Sequence, residues 1–413
     1  MTMTDHPRTR ELREPPAHVI SSSDETLEVA RDLAARLRTE AAERDLTRHL
    51  PEQELREISQ AGLLAITVPA EHGGADVPPS TVAEVFRLLA TADPNVAQIP
   101  HSHFVYVQLL KSAAQPEQLG LFSRLVLRGA RLANAQTERS GRTAKDIATV
   151  LTRTPYGYQL RGTKYYCTGS LFATWLPVLA RLEDPDSEHD GEEHVAFVPA
   201  DSPGLRVVDD WDALGQRLTA SGTVELDEVF VDRAWVVRRA EAFTGSAPYG
   251  AFAQLLHAAI DVGIARGALD DAAEFVSTKS RPWFEAEVDR ADQDPLVVQR
   301  FGEMYVDVVA AEASLVAAGR AVDAAFELSS EETLAEASLA VAAAKVLGER
   351  SSLAVSSALF EVAGTRSASV ADNLSRHWRN ARTHTLHDPV RWKLQHLGRY
   401  ALRGELPPRH SAI

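Results

Sequence analysis

Between residues 248 and 364 the chain carries three long Ala-rich segments of helical period, and they limit the possible folds more than any other feature. They read "YGAFAQLLHAAIDVGIARGALDDAAEFVSTKS", "PLVVQRFGEMYVDVVAAEASLVAAGRAVDAAFEL" and "EETLAEASLAVAAAKVLGERSSLAVSSALFEVAG". Apolar residues recur at helical spacing with few internal breakers, so each segment is expected as one long helix. Gly364 closes the third as a C-cap, and a fourth helix is expected over Val390–Leu402. Long helices with short connections pack antiparallel, which predicts a four-helix bundle over 241–403. The Ala and Gly faces, with Gly263 and Gly267 as helix–helix contacts, predict close packing and a buried subunit interface.

The upstream half divides in two. Residues 24–130 read as an α-helical domain. "SSSDETLEVARDLAARLRTEAAERD" opens on capping residues, "LPEQELREISQAGLLAI" carries a Leu/Ile stripe, and "TVAEVFRLLATADPN" stops near Asp93-Pro94. From 131 to 240 the pattern shortens into strands. "ATVLTRTPYGYQLRGTKYYC" reads as a hairpin around Pro-Tyr-Gly, and "TWLPVLARL", "HVAFVPA", "GLRVVD" and "GTVELDEVFV" read as further strands. The acidic "EDPDSEHDGEE" (183–193) is expected as a surface loop. Residues 1–23 read as a disordered arm and 404–413 as a tail. The fold class expected is α+β, mostly α: helical domain, middle β domain, four-helix bundle.

Several functions are excluded or disfavoured. A net charge of −15 argues against nucleic acid as a partner. No apolar run is long enough for a membrane span, and the opening residues lack the apolar core of a secretory signal. Cys167 is the one cysteine, so no intrachain disulfide forms, and a cytoplasmic setting fits. There is no G-x-G-x-x-G after a strand, no P-loop and no G-x-S-x-G elbow. Electrons for redox chemistry would therefore arrive on something already reduced, or leave from a substrate.

Titratable groups collect instead in "RHWRNARTHTLHDPVRWK" (376–393). The segment is compatible with a metal site, a nucleic-acid patch, a solvated face or a flavin oxygenation site. An i, i+3 histidine pair followed by Asp-Pro is poorly shaped for a metal triad of His384, His387 and Asp388, so no metal is expected. Trp378 and Trp392 are expected in the core, and Phe172, Phe252 and Trp283 on apolar pocket walls.

Three further segments carry a family resemblance: "NAQTERSG" (134–141), "GTKYYCTGS" (162–170) and "ALGQRLTASGTVELDEVFV" (213–231). With the helix–β–helix order, they resemble the acyl-CoA dehydrogenase superfamily over nearly the whole chain. That resemblance implies flavin contacts around Asn134, Gln136 and Thr168, between the β domain and the bundle. The chain departs from the dehydrogenases where those enzymes place a carboxylate base. No Glu occurs between Glu361 and Glu405; the loop reads "ARTHTLHDPV".

That loop, with "SRPWFE" (280–285), "GTRSA" (364–368) and "HWRNARTHTLHDP" (377–389), resembles the reduced-flavin monooxygenases of the dibenzothiophene monooxygenase type and the oxidoreductases of sulfone use. The resemblance implies FMNH2 from a separate NAD(P)H-dependent flavin reductase, reaction with O2 to a C4a-hydroperoxyflavin, and oxygenation of a small, sulfur-containing substrate. It implies a homotetramer. His387 is the first choice for a catalytic and flavin-contacting group, with both it and His384 on a loop at the pocket rim, and it would deliver a proton near neutral pH. His384 or Asp388 would orient it, with His103 as the second polar group from the N-terminal domain. Arg281 and Arg366 would hold the FMN phosphate, a task suited to a bidentate guanidinium. The alternatives are an FAD-dependent acyl-CoA dehydrogenase and a flavin N-hydroxylase.

Overall fold

A computed structural model describes residues 17–143, 146–244 and 247–410. Of the arm expected over 1–23, residues 1–16 lie outside these.

Among the described residues the N-terminal part holds six α-helices: α1 (Ser23–Thr47), α2 (Glu52–Gln60), α3 (Pro79–Ala92), α4 (Pro94–Gln98), α5 (His101–Ala113) and α6 (Pro116–Leu127). Their limits follow from local chemistry. The Ser22 side chain accepts from the Glu25 amide and caps α1. Asp93 ends α3 and caps α4, where Pro94 occupies the first turn and needs no amide partner.

The middle part is one seven-stranded sheet: β1 (Val150–Thr154), β2 (Gly157–Lys164), β3 (Trp175–Glu183), β4 (Glu193–Pro199), β5 (Leu205–Val208), β6 (Thr223–Val231) and β7 (Val236–Arg238). Their order is β5-β6-β2-β1-β3-β4-β7. The expected hairpin forms, with Thr154 opposite Gly157. β1 and β3 pair in parallel, and every other pairing in the sheet is antiparallel. β7 was not expected; three residues are too short for alternation to register.

The last part holds α7 (Glu241–Thr244), α8 (Tyr249–Thr278), α9 (Pro295–Glu327), α10 (Glu331–Ala363), α11 (Ser375–His384) and α12 (Val390–Arg403). The bundle is welded to the N-terminal part through glycine. A Cβ on Gly263 would stand 2.6 Å from the Ala90 Cβ and the Arg87 carbonyl of α3, and one on Gly267 2.5 Å from the Thr91 carbonyl. Gly364, at φ +71, ends α10.

Two expectations fail here. Trp378 and Trp392 are not core residues: they are 38% and 52% exposed in the single chain. His384 does not lie on a loop but ends α11. The buried residues of α11 are His377, Asn380, Ala381 and His384, a helical stripe made mostly of polar side chains. A search for apolar periodicity passes over such a stripe. What buries it is hydrogen bonding. Asn380 accepts from the Gln216 amide at 2.7 Å, and Arg379 pairs with Asp45 of α1 at 2.5 Å.

Candidate active site

The site lies where α4, α5, α8, α10, α11 and the loops of the sheet meet. α8 supplies Gln254, His257 and Asp261, a polar i, i+3, i+7 stripe in an otherwise apolar helix. α10 supplies Lys345. Asp261 and Lys345 are both 0% exposed, with the ammonium 2.5 Å from the carboxylate.

From this pair runs a hydrogen-bonded chain. Asp261 Oδ1 lies 2.6 Å from His384 Nδ1, and His384 Nε2 lies 3.1 Å from His257 Nδ1. The His257 ring stacks on His101 at 3.8 Å between centroids and lies 4.7 Å from His387. A carboxylate and a carbonyl only accept, so the protons can be assigned. His384 Nδ1–H donates to Asp261, which leaves His384 Nε2 to accept from His257. His387 Nδ1–H donates to the His384 carbonyl at 2.9 Å, and its Nε2 accepts from the Gln98 amide at 2.9 Å. His101 Nε2–H donates to the Ala253 carbonyl at 2.9 Å.

His101, His257 and His387 are held toward their neutral forms. Burial pushes His101 down to about 4 and His257 well below the ordinary range. His387 keeps an exposed face, yet desolvation by the surrounding protein, then His384, pushes it down to about 3. The expected proton delivery by a charged His387 near neutral pH therefore does not fit its surroundings. Asp261 moves the other way. Burial would raise its pKa, but Lys345 and His384 together hold it below the usual carboxylate value.

The sequence-predicted residues divide. His384 and His387 come together, joined by His257 and His101. His103 does not join them. It is 1% exposed, its Nε2–H donates to the Leu64 carbonyl at 2.7 Å, and its Nδ1 accepts from the Leu132 amide at 3.1 Å. With both nitrogens used by backbone, it ties α5 to the sheet. Asp388 contacts neither imidazole and pairs with Lys393 at 3.3 Å; the His384 carbonyl orients His387 instead.

Asn134, Gln136 and Thr168 lie on the sheet side. Thr168 begins a ladder of hydroxyls, 2.8 Å to Ser221, 2.7 Å on to Thr219 and 2.9 Å to the Gln216 carbonyl. The Asn134 amide donates to the Thr168 carbonyl at 3.2 Å, and its side-chain Oδ1 is sealed with no partner. The Gln136 carbonyl accepts from Lys164 at 3.1 Å. A Cβ on Gly169 would meet Ile99 at 3.1 Å, so this wall stands beside Gln98 and the histidines.

Arg281 and Arg366 are elsewhere. Both are exposed, and Arg366 donates to the Lys279 carbonyl at 2.7 Å, just past the end of α8. From His257 to Thr278 runs about 32 Å of helix at 1.5 Å per residue. That exceeds the reach of one flavin mononucleotide, so a single chain does not bring these arginines and the histidines onto the same ligand.

His257, Asp261, Lys345, Gln98 and His101 are the residues sequence reasoning missed or passed over. A signal existed for three of them: His257, Asp261 and Lys345 interrupt apolar runs, "QLLHAAIDVG" and "AVAAAKVLG", where an ionisable group needs a partner to be buried.

Comparison with known proteins gives three kinds of match. Sequence profiles of the acyl-CoA dehydrogenase N-terminal, middle and C-terminal domains match residues 22–127, 133–229 and 255–392. The dibenzothiophene monooxygenase of Rhodococcus qingshengii is 31% identical over 401 residues, 94% of this chain and 95% of the relative. A probable FMNH2-dependent monooxygenase of Pseudomonas putida is 29% identical over 389 residues, 92% and 95% of the two chains. The FMN-bound crystal structure of TdsC from Paenibacillus sp. A11-2 superposes with a TM-score of 0.88 at 32% identity, covering 94% of this chain and 100% of the other.

Proposed function

This chain belongs to the acyl-CoA dehydrogenase family, and we propose that it is the oxygenating component of a two-component monooxygenase. It is an oxidoreductase that uses FMN, supplied as FMNH2 by a separate NAD(P)H-dependent reductase. Its substrate is a small organic molecule, and a sulfur-containing one follows the named relatives.

The residues suit a flavin. The sealed, unpartnered Oδ1 of Asn134 and the Thr168–Ser221–Thr219 hydroxyls belong to the wall whose Gly169 approaches Ile99, next to Gln98, and they supply polar atoms of the kind that a ring edged with amide and carbonyl groups requires. Asn134, Gln136, Thr168 and His387 would hold the ring. When bound, reduced FMN supplies the electrons that activate O2, of which one atom goes to substrate and the other to water. The chain's own residues bind and orient. His257, whose Nε2 has no hydrogen-bond partner among the described residues, would hold a donor group of a ligand in place.

One observation favours oxygenation over dehydrogenation. Abstraction of an α-proton needs a free carboxylate at the cleft. Here Asp261 is sealed behind His384, Asp388 is paired with Lys393, and the exposed ring at this position is His387.

The arginines fit this reading through a second copy. Arg281 and Arg366, too distant for their own histidines, would hold the FMN phosphate of a neighbouring protomer. Exposed apolar side chains on α9 (Leu296, Val298, Val306) and α12 (Trp392, Leu402) supply faces for such assembly, here a homotetramer. No described helix is long and apolar enough to cross a membrane, and a cytoplasmic enzyme fits the single buried Cys167.

The test is turnover of a thioether probe such as dibenzothiophene with FMN, NADH and a flavin reductase under 18O2. One labelled oxygen per product molecule is expected, with none formed when the reductase is omitted. Oxidation of an acyl-CoA without oxygen incorporation would instead identify a dehydrogenase.

A further inference from the structure

We propose that Lys345 and Asp261 are positioning residues that fix the tautomers of His384 and His257, so that His257 offers an Nε2 lone pair to the cleft and binds a ligand atom that carries a proton. The flavin-monooxygenase reading enters only in naming that ligand as FMNH2 or its oxygenation partner.

The polarity follows from the two ends of the chain. Lys345 only donates and Asp261, held ionised beside it, only accepts. A neutral imidazole carries one N–H. Once Asp261 takes the His384 Nδ1–H, His384 Nε2 is an acceptor, and His257 must donate its Nδ1–H to it. His257 is left with its proton pointing into the protein and its lone pair pointing away. That Nε2 has no hydrogen-bond partner among the described residues and is not among the sealed polar atoms without a partner. It therefore opens on the cleft.

The ring cannot turn over to reverse this. His101 stacks on one face at 3.8 Å with an interplanar angle of 26°, and its Nε2–H is anchored to the Ala253 carbonyl. His387 stands 4.7 Å away, its own Nδ1–H anchored to the His384 carbonyl. His257 and His387 thus both direct their Nδ1–H into the protein, and because His387 Nε2 already accepts from Gln98, the lone pair left open is that of His257 Nε2. A ligand N–H or O–H satisfies it; a bare carbonyl or an anion does not.

An asparagine at 261 would remove the constraint, because an amide both donates and accepts, and the chain could run in either direction. Asp261→Asn alone strands the Lys345 charge in the interior and destabilises the fold, so the informative variant is the neutral pair Asp261→Asn/Lys345→Met. Imidazole 15N NMR separates the two neutral tautomers without any turnover. The wild type is expected to show His257 and His384 as Nδ1–H forms. The double variant should show mixed or reversed tautomers at both, and an FMNH2 affinity lowered about tenfold, the worth of one hydrogen bond. An Nε2–H form of His257 in the wild type, or an unchanged single tautomer in the double variant, overturns the proposal. Altered tautomers with unchanged FMNH2 affinity overturn its ligand-facing half. If the wild type binds no flavin at all, the monooxygenase reading fails, and the tautomers still decide the hydrogen-bond chain.

Discussion

Replacing Lys345 by methionine would remove the cation that holds Asp261 ionised inside the bundle, and the cost can be worked out. At 2.5 Å and an effective dielectric of about 20, the pair attracts with about 7 kcal/mol. The measured loss is capped below that, because the stranded carboxylate can take up a proton instead. Starting from an unfolded-state pKa of about 3.9, protonation at pH 7 costs about 4 kcal/mol, at 1.36 kcal/mol per pH unit. The cap at pH 5 is about 1.5 kcal/mol. The retained bond from His384 Nδ1–H lowers both figures somewhat. In the wild type the folded-state pKa of Asp261 is depressed, so its contribution is complete above the unfolded pKa and does not change from pH 5 to 8. In Lys345→Met burial is opposed only by the His384 bond and raises the folded pKa, so stability is lost as pH rises. Urea unfolding of both proteins at several pH values should show a gap that widens from pH 5 to pH 7, approaching 3–5 kcal/mol, the usual cost of breaking a buried pair. A gap under 1 kcal/mol, or one independent of pH, would refute the reading of Asp261 as a sealed charge held by Lys345.

Other outcomes follow from the site. His387→Ala removes the imidazole held between the His384 carbonyl and Gln98 and should lower the product formed per FMNH2 consumed, while FMNH2 is still oxidised and H2O2 released; unchanged product per FMNH2 would make this histidine structural. Arg366→Ala should weaken FMNH2 binding by about 1.5–3 kcal/mol and leave riboflavin binding unaltered, since riboflavin has no phosphate. Co-assembling the impaired Arg366→Ala and His387→Ala chains should restore part of the activity if each site joins two protomers, and none if it does not. The depressed pKa values of His101, near 4, and His387, near 3, mean that the unfolded chain binds protons first as pH falls from about 6.5. Stability should therefore decline from pH 6.5 toward 4, read as a falling melting temperature, and replacing either histidine by a residue that does not titrate should flatten the decline.

Much of this protein is written in local pattern. The Ala-rich segments become α8, α9 and α10 because a 3.6-residue period, long uninterrupted runs and caps such as Ser330 and Gly364 act within a few turns of chain. The hairpin and the strands from β1 to β6 are local in the same sense. His384 and His387 also stood out, because the titratable cluster around them is contiguous. The remaining site residues could not be read this way. His257, Asp261 and Lys345 stand on two helices, and only the packing of α8 against α10 and α11 makes them one hydrogen-bonded chain. His103 was expected at the site, and its neighbour His101 stands there instead, because backbone groups of other segments take both nitrogens of His103. Arg281 and Arg366, the arginines expected to hold the FMN phosphate, stand about a full helix length from the histidines in space. Sequence determined which segments form and which residue types they carry. Tertiary structure decided which of those residues meet, because burial and hydrogen-bond partners come from segments far apart in the chain, and those partners set tautomer, charge and reach.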